Sequence, residues 1–246
     1  MVRSLLWGIV ATAALGLPST PVLAGTFSIS PVRVELSGAA KTAALTLRNP
    51  TEAPVVVQAE AMLWEQVDGE ERLTPTRDVL VSPAVFTVAG NGSQLVRVAL
   101  RRPADPQREL SYRLILTEVP GKADRQSSGL SMALRLSLPV FVDPPALSAP
   151  RLEWTAARTS GGLALTARNA GTAHAKVLSF SVTPDGAAAP AIQQNVTAYI
   201  LPGQSRTWTI DDNNETATAS AEWNRVRVKG TTEAGDFEVE ARPAGT

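Results

Sequence analysis

The chain has 246 residues, with 23 basic and 23 acidic side chains, so its net charge is zero and bulk electrostatics offers no attraction to nucleic acid or an anionic membrane. It holds no cysteine and a single histidine, His174, which excludes disulfides and leaves too few ligands for a structural zinc site. That length suits one large domain or two of ordinary size.

Residues 1 to 24 read as a secretory signal peptide. Arg3 supplies the positive start, Leu5 to Leu17 is an apolar run too short to span a bilayer, and Val22 and Ala24 are the small residues expected before a cleavage. The mature chain is then expected to begin near Gly25 and to work outside the cytoplasm. No second apolar run of transmembrane length follows.

From Phe27 onward short apolar runs alternate with turn residues, the spacing of a β-sandwich. Strands are expected at Phe27 to Leu36, Lys41 to Arg48, Pro54 to Trp64, Val79 to Val81, Val85 to Val88, Ser93 to Leu100, Tyr112 to Val119 and Leu130 to Val142. Asn49-Pro50, Asp68-Gly69, Gly90-Asn91-Gly92 and Pro120-Gly121 mark reversals between them. In the last strand Leu130, Met132, Leu134, Leu136, Leu138 and Val140 recur at every second position, which puts one long apolar stripe on one face.

Residues 144 to 150 form a proline-rich connector, stiff because proline fixes its own φ and restricts the residue before it. A second domain, 151 to 246, follows the first, 25 to 143. Its expected strands are Leu152 to Ala156, Leu163 to Arg168, Lys176 to Thr183, Val196 to Leu201, Ser205 to Ile210, Asn224 to Lys229 and Phe237 to Ala241. The fold class is therefore all-β, two immunoglobulin-like sandwiches. An internal echo supports the division: Ala44-Leu-Thr-Leu-Arg-Asn49 and Ala164-Leu-Thr-Ala-Arg-Asn169 agree at five of six positions, each ending a strand at an Arg-Asn turn. Six residues do not separate duplication from a shared turn requirement.

Catalytic chemistry is thinly supplied, and no enzyme activity is expected. His174 lies in the Asn169-Ala-Gly-Thr-Ala-His174 turn with no G-x-S-x-G elbow anywhere, and reads as a solvated loop histidine. Asp211-Asp-Asn-Asn-Glu215 lacks the spacing and glycine of a calcium loop and reads as a polar turn. There is no phosphate-binding glycine loop, and neither cofactor nor metal is expected.

Four segments in order carry a resemblance: Ser28-Ile-Ser-Pro-Val-Arg33-Val-Glu-Leu36, Leu45-Thr-Leu-Arg-Asn-Pro-Thr51, Ser111-Tyr-Arg-Leu-Ile-Leu-Thr-Glu-Val-Pro120, and the alternating strand ending in Phe141-Val-Asp-Pro144. Together they resemble the periplasmic pilus-assembly chaperones, the PapD-like family of the chaperone-usher pathway. The third segment is most similar to the branch serving spore-coat-like (Csu-type) pilins. The resemblance implies a boomerang of two immunoglobulin-like domains that catalyses nothing. Such a protein caps an incomplete pilin subunit with a strand of its own and delivers it to an outer-membrane usher. Its partners would be pilin subunits and that usher.

The implied donor strand is Leu130 to Val142, with Leu130, Met132 and Leu134 filling the subunit's groove and Leu136 next on the same face. Leu136, Leu138 and Val140, nearer the connector, can serve the chaperone's own core instead. Three buried side chains of this size contribute on the order of 5 to 9 kcal/mol before ordering costs. The resemblance also implies that two cations anchor the subunit's C-terminal carboxylate. Arg33 matches the first. At the second, five residues before the connector proline, other members have lysine and this chain has Pro139; Asp143 stands where those members have arginine. Arg135 is the candidate substitute, with Arg97 and Arg113 behind it. The competing reading is a two-domain structural or adhesive module in which every alternating strand serves its own core.

Overall fold

The computed structural model describes residues 27–120, 133–159, 162–185, 192–211 and 222–243. The expected signal peptide lies outside these residues, as do Leu130 and Met132. Among the described residues the secondary structure is entirely strand, and no helix is long and apolar enough to cross a membrane.

Alternation becomes pleated strands with one face inward. In β3 (Thr42–Arg48) Leu45 and Leu47 are buried while Thr46 and Arg48 face solvent, and β8 (Ser93–Leu100) repeats the pattern with Val96 and Val98. These two pair, with β1 (Ser28–Ser30) and β6 (Val79–Ser82) outside them, in a four-stranded sheet. The facing sheet runs β2 (Val34–Ser37), β10 (Arg135–Asp143), β9 (Leu110–Val119), β4 (Val55–Val67) and β5 (Glu70–Pro75), with β7 (Val85–Val88) also on β4. Both sheets bury their inner faces in one core that includes Val34, Leu36, Leu45, Val96, Leu114, Leu138 and Val140. This is the first immunoglobulin-like sandwich.

The second is built from β11 (Leu152–Thr159), β12 (Gly162–Asn169), β13 (Ala175–Asp185), β14 (Ile192–Ile200), β15 (Ser205–Asp211), β16 (Glu222–Thr232) and β17 (Gly235–Pro243). Two antiparallel layers, β11-β12-β15 and β14-β13-β16-β17, are joined by a two-residue parallel bridge at Thr155↔Arg242 and Ala156↔Pro243. Between them lies a core of Trp154, Leu165, Phe180, Val182, Ile200 and Val228.

Two differences from the sequence expectation have physical causes. The run Phe27 to Leu36 is two strands, because Pro31 offers no N–H to a ladder and the chain changes sheets there: β1 pairs β3 of one sheet while β2 pairs β10 of the other. The segment Glu70–Pro75 is a strand without apolar alternation, an exposed edge held by pairing along β4. Its hairpin turns at Asp68 and Gly69, both at positive φ (53° and 83°).

The echoed asparagines do the same work. Asn49 and Asn169 are fully buried at a strand end. Each donates Nδ2 to the carbonyl four residues on, Ala53 or Ala173, at 2.7 Å, and accepts on Oδ1 the N–H two residues on, Thr51 at 3.0 Å or Gly171 at 2.9 Å. A buried side chain that satisfies a turn's backbone groups is hard to replace.

The connector is stitched to the second sandwich: Thr172 N–H donates to Ala149 O at 3.0 Å and Ala170 N–H to Arg151 O at 2.8 Å. Gly171 sits so close that a Cβ there would fall 2.3 Å from Ala149 O and 2.5 Å from Arg151 N, so only glycine fits.

Candidate functional site

Along β10 the neighbours change partway. From Val140 to Val142 the strand lies between β2, parallel, and β9, antiparallel, and Asp143 pairs β2; from Arg135 to Pro139 it pairs β9 alone. Among the described residues no strand pairs with the other edge of that upstream half. β2 is too short to reach it, because the chain enters that sheet only at Val34. Unpaired N–H and C=O groups along such an edge are a template for another chain. Leu134 and Leu136 are half-buried there, whereas Leu138 and Val140 are buried in the first core. Glu118 ties the strand's entry down, its N–H donating to Leu134 O at 2.8 Å and its carboxylate accepting Leu134 N–H at 3.2 Å.

The opposite face of the downstream half holds the two sandwiches together. Phe141 stacks on His174 with ring centroids 3.6 Å apart and lies in a cluster with Trp64, Leu201 and Tyr199. Gln66 crosses the junction twice, donating Nε2 to Tyr199 O at 2.8 Å and accepting Leu201 N–H on Oε1 at 2.9 Å. His174 is therefore a junction residue rather than a solvated one. Its Nδ1 lies 2.8 Å from an oxygen of Glu109, whose side chain is only 2% exposed. Glu109 N–H donates to Thr172 O at 2.9 Å across the same seam. Each such hydrogen bond contributes about 1 kcal/mol net, and their number makes the junction stiff.

That junction sets Arg33 opposite the second sandwich. Arg33 stands in the crossing from β1 to β2, beside Val32, which is 66% exposed. Its guanidinium bonds Glu233 Oε1 at 2.5 Å across the cleft and Glu35 of β2 at 2.8 Å. Burial would lower the Arg33 pKa, but the Glu233 hydrogen bond and charge, helped by Glu35, outweigh it and hold it above its ordinary value. Asp143 is raised by burial and by Glu35, with His174 and Arg33 opposing.

The other arginines are spread out. Arg113 is 11% exposed, lies 3.6 Å over the Trp64 ring and pairs with Glu71 at 2.8 Å, a packing role at the junction. Arg135 is exposed at the start of β10 opposite Thr117, and Arg97 is exposed on the outer face of β8 in the other sheet. None of the three lines the cleft cavities that hold Arg33. Pro139 does line one of them, and the other cation that lines it beside Arg33 is Lys176 of β13, from the second sandwich. Its ammonium lies 5.3 Å from the Tyr199 ring. Within the run Ala175-Lys176-Val177 it reads as an ordinary outward strand lysine; only docking of the two sandwiches brings it to the cleft.

The family model for the pili and flagellar-assembly chaperone, PapD N-terminal domain, matches residues 26–148. No curated protein sequence matches the chain. Among solved structures, the CsuC–CsuE chaperone–tip adhesion subunit pre-assembly complex of Acinetobacter baumannii Csu pili is similar at TM-score 0.67 and 21% identity, over 89% of this chain and 100% of that one. The E. coli chaperone DraB is similar at TM-score 0.59 and 22% identity, over 89% and 97% of the two chains. The Salmonella enterica SafA pilin complex with the SafB chaperone is similar at TM-score 0.60 and 17% identity, over 87% and 96%. At these identities the likeness is one of fold.

Proposed function

The chain belongs to the pili and flagellar-assembly chaperone family, and from that premise we propose that it is a periplasmic chaperone that caps incomplete pilin subunits by lending them its β10 strand and hands them to an outer-membrane usher. The observation that carries the reading is the change of neighbours along β10. Its connector half is enclosed between β2 and β9, while its upstream half, from Arg135 to Pro139, has one edge that no strand among the described residues pairs. Likeness to complexes described as chaperone with subunit supports the client class, and likeness to the Csu complex agrees with the Csu-type wording of residues 111 to 120.

A pilin sandwich short of one strand has unpaired backbone groups along a gap and empty core pockets behind it. The open edge of β10 supplies hydrogen bonds to the first, and Leu130, Met132 and Leu134 enter the second, with Leu136 at the border. Downstream side chains stay with the chaperone, so the strand is lent from a fixed base. The subunit's C-terminal carboxylate binds Arg33 in the cleft, where a guanidinium can hold it through two parallel bonds. The second cation, missing at Pro139, comes from Lys176 across the cleft. This assignment replaces Arg135, Arg97 and Arg113 as anchor candidates.

Co-expression with a pilin encoded beside the chaperone gene tests the lending step. Met132→Glu places a charge in an apolar pocket, so the variant is expected to fold and be exported yet recover no pilin on affinity purification. Normal pilin recovery by a folded Met132→Glu chaperone would refute strand donation.

A further inference from the structure

Beside Arg33 the second sandwich leaves a cavity of about 450 Å³, walled by Leu152, Trp154, Phe237 and Val239. Arg33, Lys176 and Glu233 line the same cavity. Trp154 and Phe237 stack at 5.3 Å with planes 17° apart, so two walls are stiff aromatic surfaces. Folded proteins fill apolar space of this size with their own side chains, and a mainly apolar pocket with a few charged groups is the ordinary form of a ligand site.

The charged end already shows what it accepts. Glu233 places a carboxylate oxygen 2.5 Å from Arg33 Nη1, and it does so from the exposed turn between β16 and β17, whose backbone is fixed by the Thr232–Gly235 pair and by Glu233 N–H donating to Lys176 O at 3.0 Å. With the backbone fixed, the Glu233 side chain, 41% exposed, can rotate into solvent and free Arg33 without disturbing either core. Lys176 sets its ammonium 5.3 Å from the Tyr199 ring and makes no salt bridge among the described residues, so a second carboxylate oxygen arriving there would meet an unpaired cation.

We propose that this cavity receives the apolar side chain of the subunit's last residue, while that residue's carboxylate displaces Glu233 from Arg33. In a C-terminal residue the side chain and the carboxylate leave the same Cα, so a receptor for both must have cations at the lip of an apolar pocket, the arrangement that Arg33, Lys176, Trp154 and Phe237 make. Replacing Glu233 by the client's carboxylate keeps the charge beside Arg33 constant. The exchange is therefore nearly balanced electrostatically, and burial of the side chain decides it. The inference rests on the carboxylate-anchoring part of the proposed function and adds what the site selects.

The experiment varies both partners in co-expression and reads pilin recovered per chaperone. With the unaltered chaperone, pilins ending in Leu or Phe are expected to be recovered about tenfold better than the same pilin ending in Ser or Asp. Glu233→Gln, which removes the internal competitor, is expected to raise recovery by up to about fivefold. Val239→Phe, which fills the cavity, is expected to abolish the preference for a large terminal residue; the client series needs no change in the chaperone and stands even if this variant folds poorly. Recovery indifferent to the terminal residue and to Glu233→Gln, with Arg33→Ala still lowering it, overturns the inference and leaves the anchor intact. Recovery unchanged in Arg33→Ala overturns the anchor as well.

Discussion

The two halves of β10 have one sequence pattern and two fates. Leu134, Leu136, Leu138 and Val140 alternate without a break, yet the first two are half-exposed beside an open edge and the last two are sealed in the core. Alternation fixes which face of a strand is apolar. Whether its edges are paired depends on where a distant strand stops, here β2, which ends its pairing with β10 at Val140. The open edge of the proposed donor strand thus comes from a neighbour that is too short, while the side chains offered to the client come from the strand's own alternation.

The contrast can be broken at its strongest point first. Val140→Asp would bury a charge at a fully enclosed position and is expected to cost more than about 4 kcal/mol, abolishing soluble protein in periplasmic extracts. Leu138→Ala opens a cavity in the same core and is expected to cost about 2 to 5 kcal/mol in denaturant unfolding. Leu134→Ala, two pleat repeats upstream, is expected to cost about 1 kcal/mol or less in that assay while lowering pilin recovery severalfold. Equal losses of stability at Leu134 and Leu138 would erase the division between the halves.

Smaller effects sharpen the cleft. Arg33→Ala removes two partly exposed ion pairs, worth about 0 to 1 kcal/mol together in thermal melting, and its main effect is expected in client recovery. Asp143 is smaller still. Its carboxyl is raised in the folded protein, so ionisation opposes folding at neutral pH and the penalty fades as pH falls through the carboxylate range. Asp143→Asn is accordingly expected to raise the melting temperature slightly at pH 7, with the gain disappearing under acid conditions.

Much of this was readable from the residues. Turn chemistry and alternation marked nearly every strand, the Arg-Asn echo located two buried corner asparagines, and the Ser-Pro-Val-Arg33 motif pointed to the cleft arginine. What escaped belongs to contacts between distant segments. Glu70–Pro75 is a strand only because β4 is long enough to pair with it. His174 sits in a turn whose sequence resembles any surface loop, and its burial depends on Phe141 and Glu109 arriving from the other sandwich. Lys176 and Glu233 are ordinary outward residues of their own strands and turn until the junction aligns them with Arg33.

Hydrogen exchange along β10, with and without a bound pilin, tests the central claim most directly. In the free chaperone, amides between Arg135 and Leu138 that face away from β9 should exchange quickly, while those of Val140 to Asp143 stay protected; with pilin bound, the first group should become protected and the second should not change. Slow exchange of the upstream edge in the free protein, or no gain of protection there on pilin binding, would contradict strand donation.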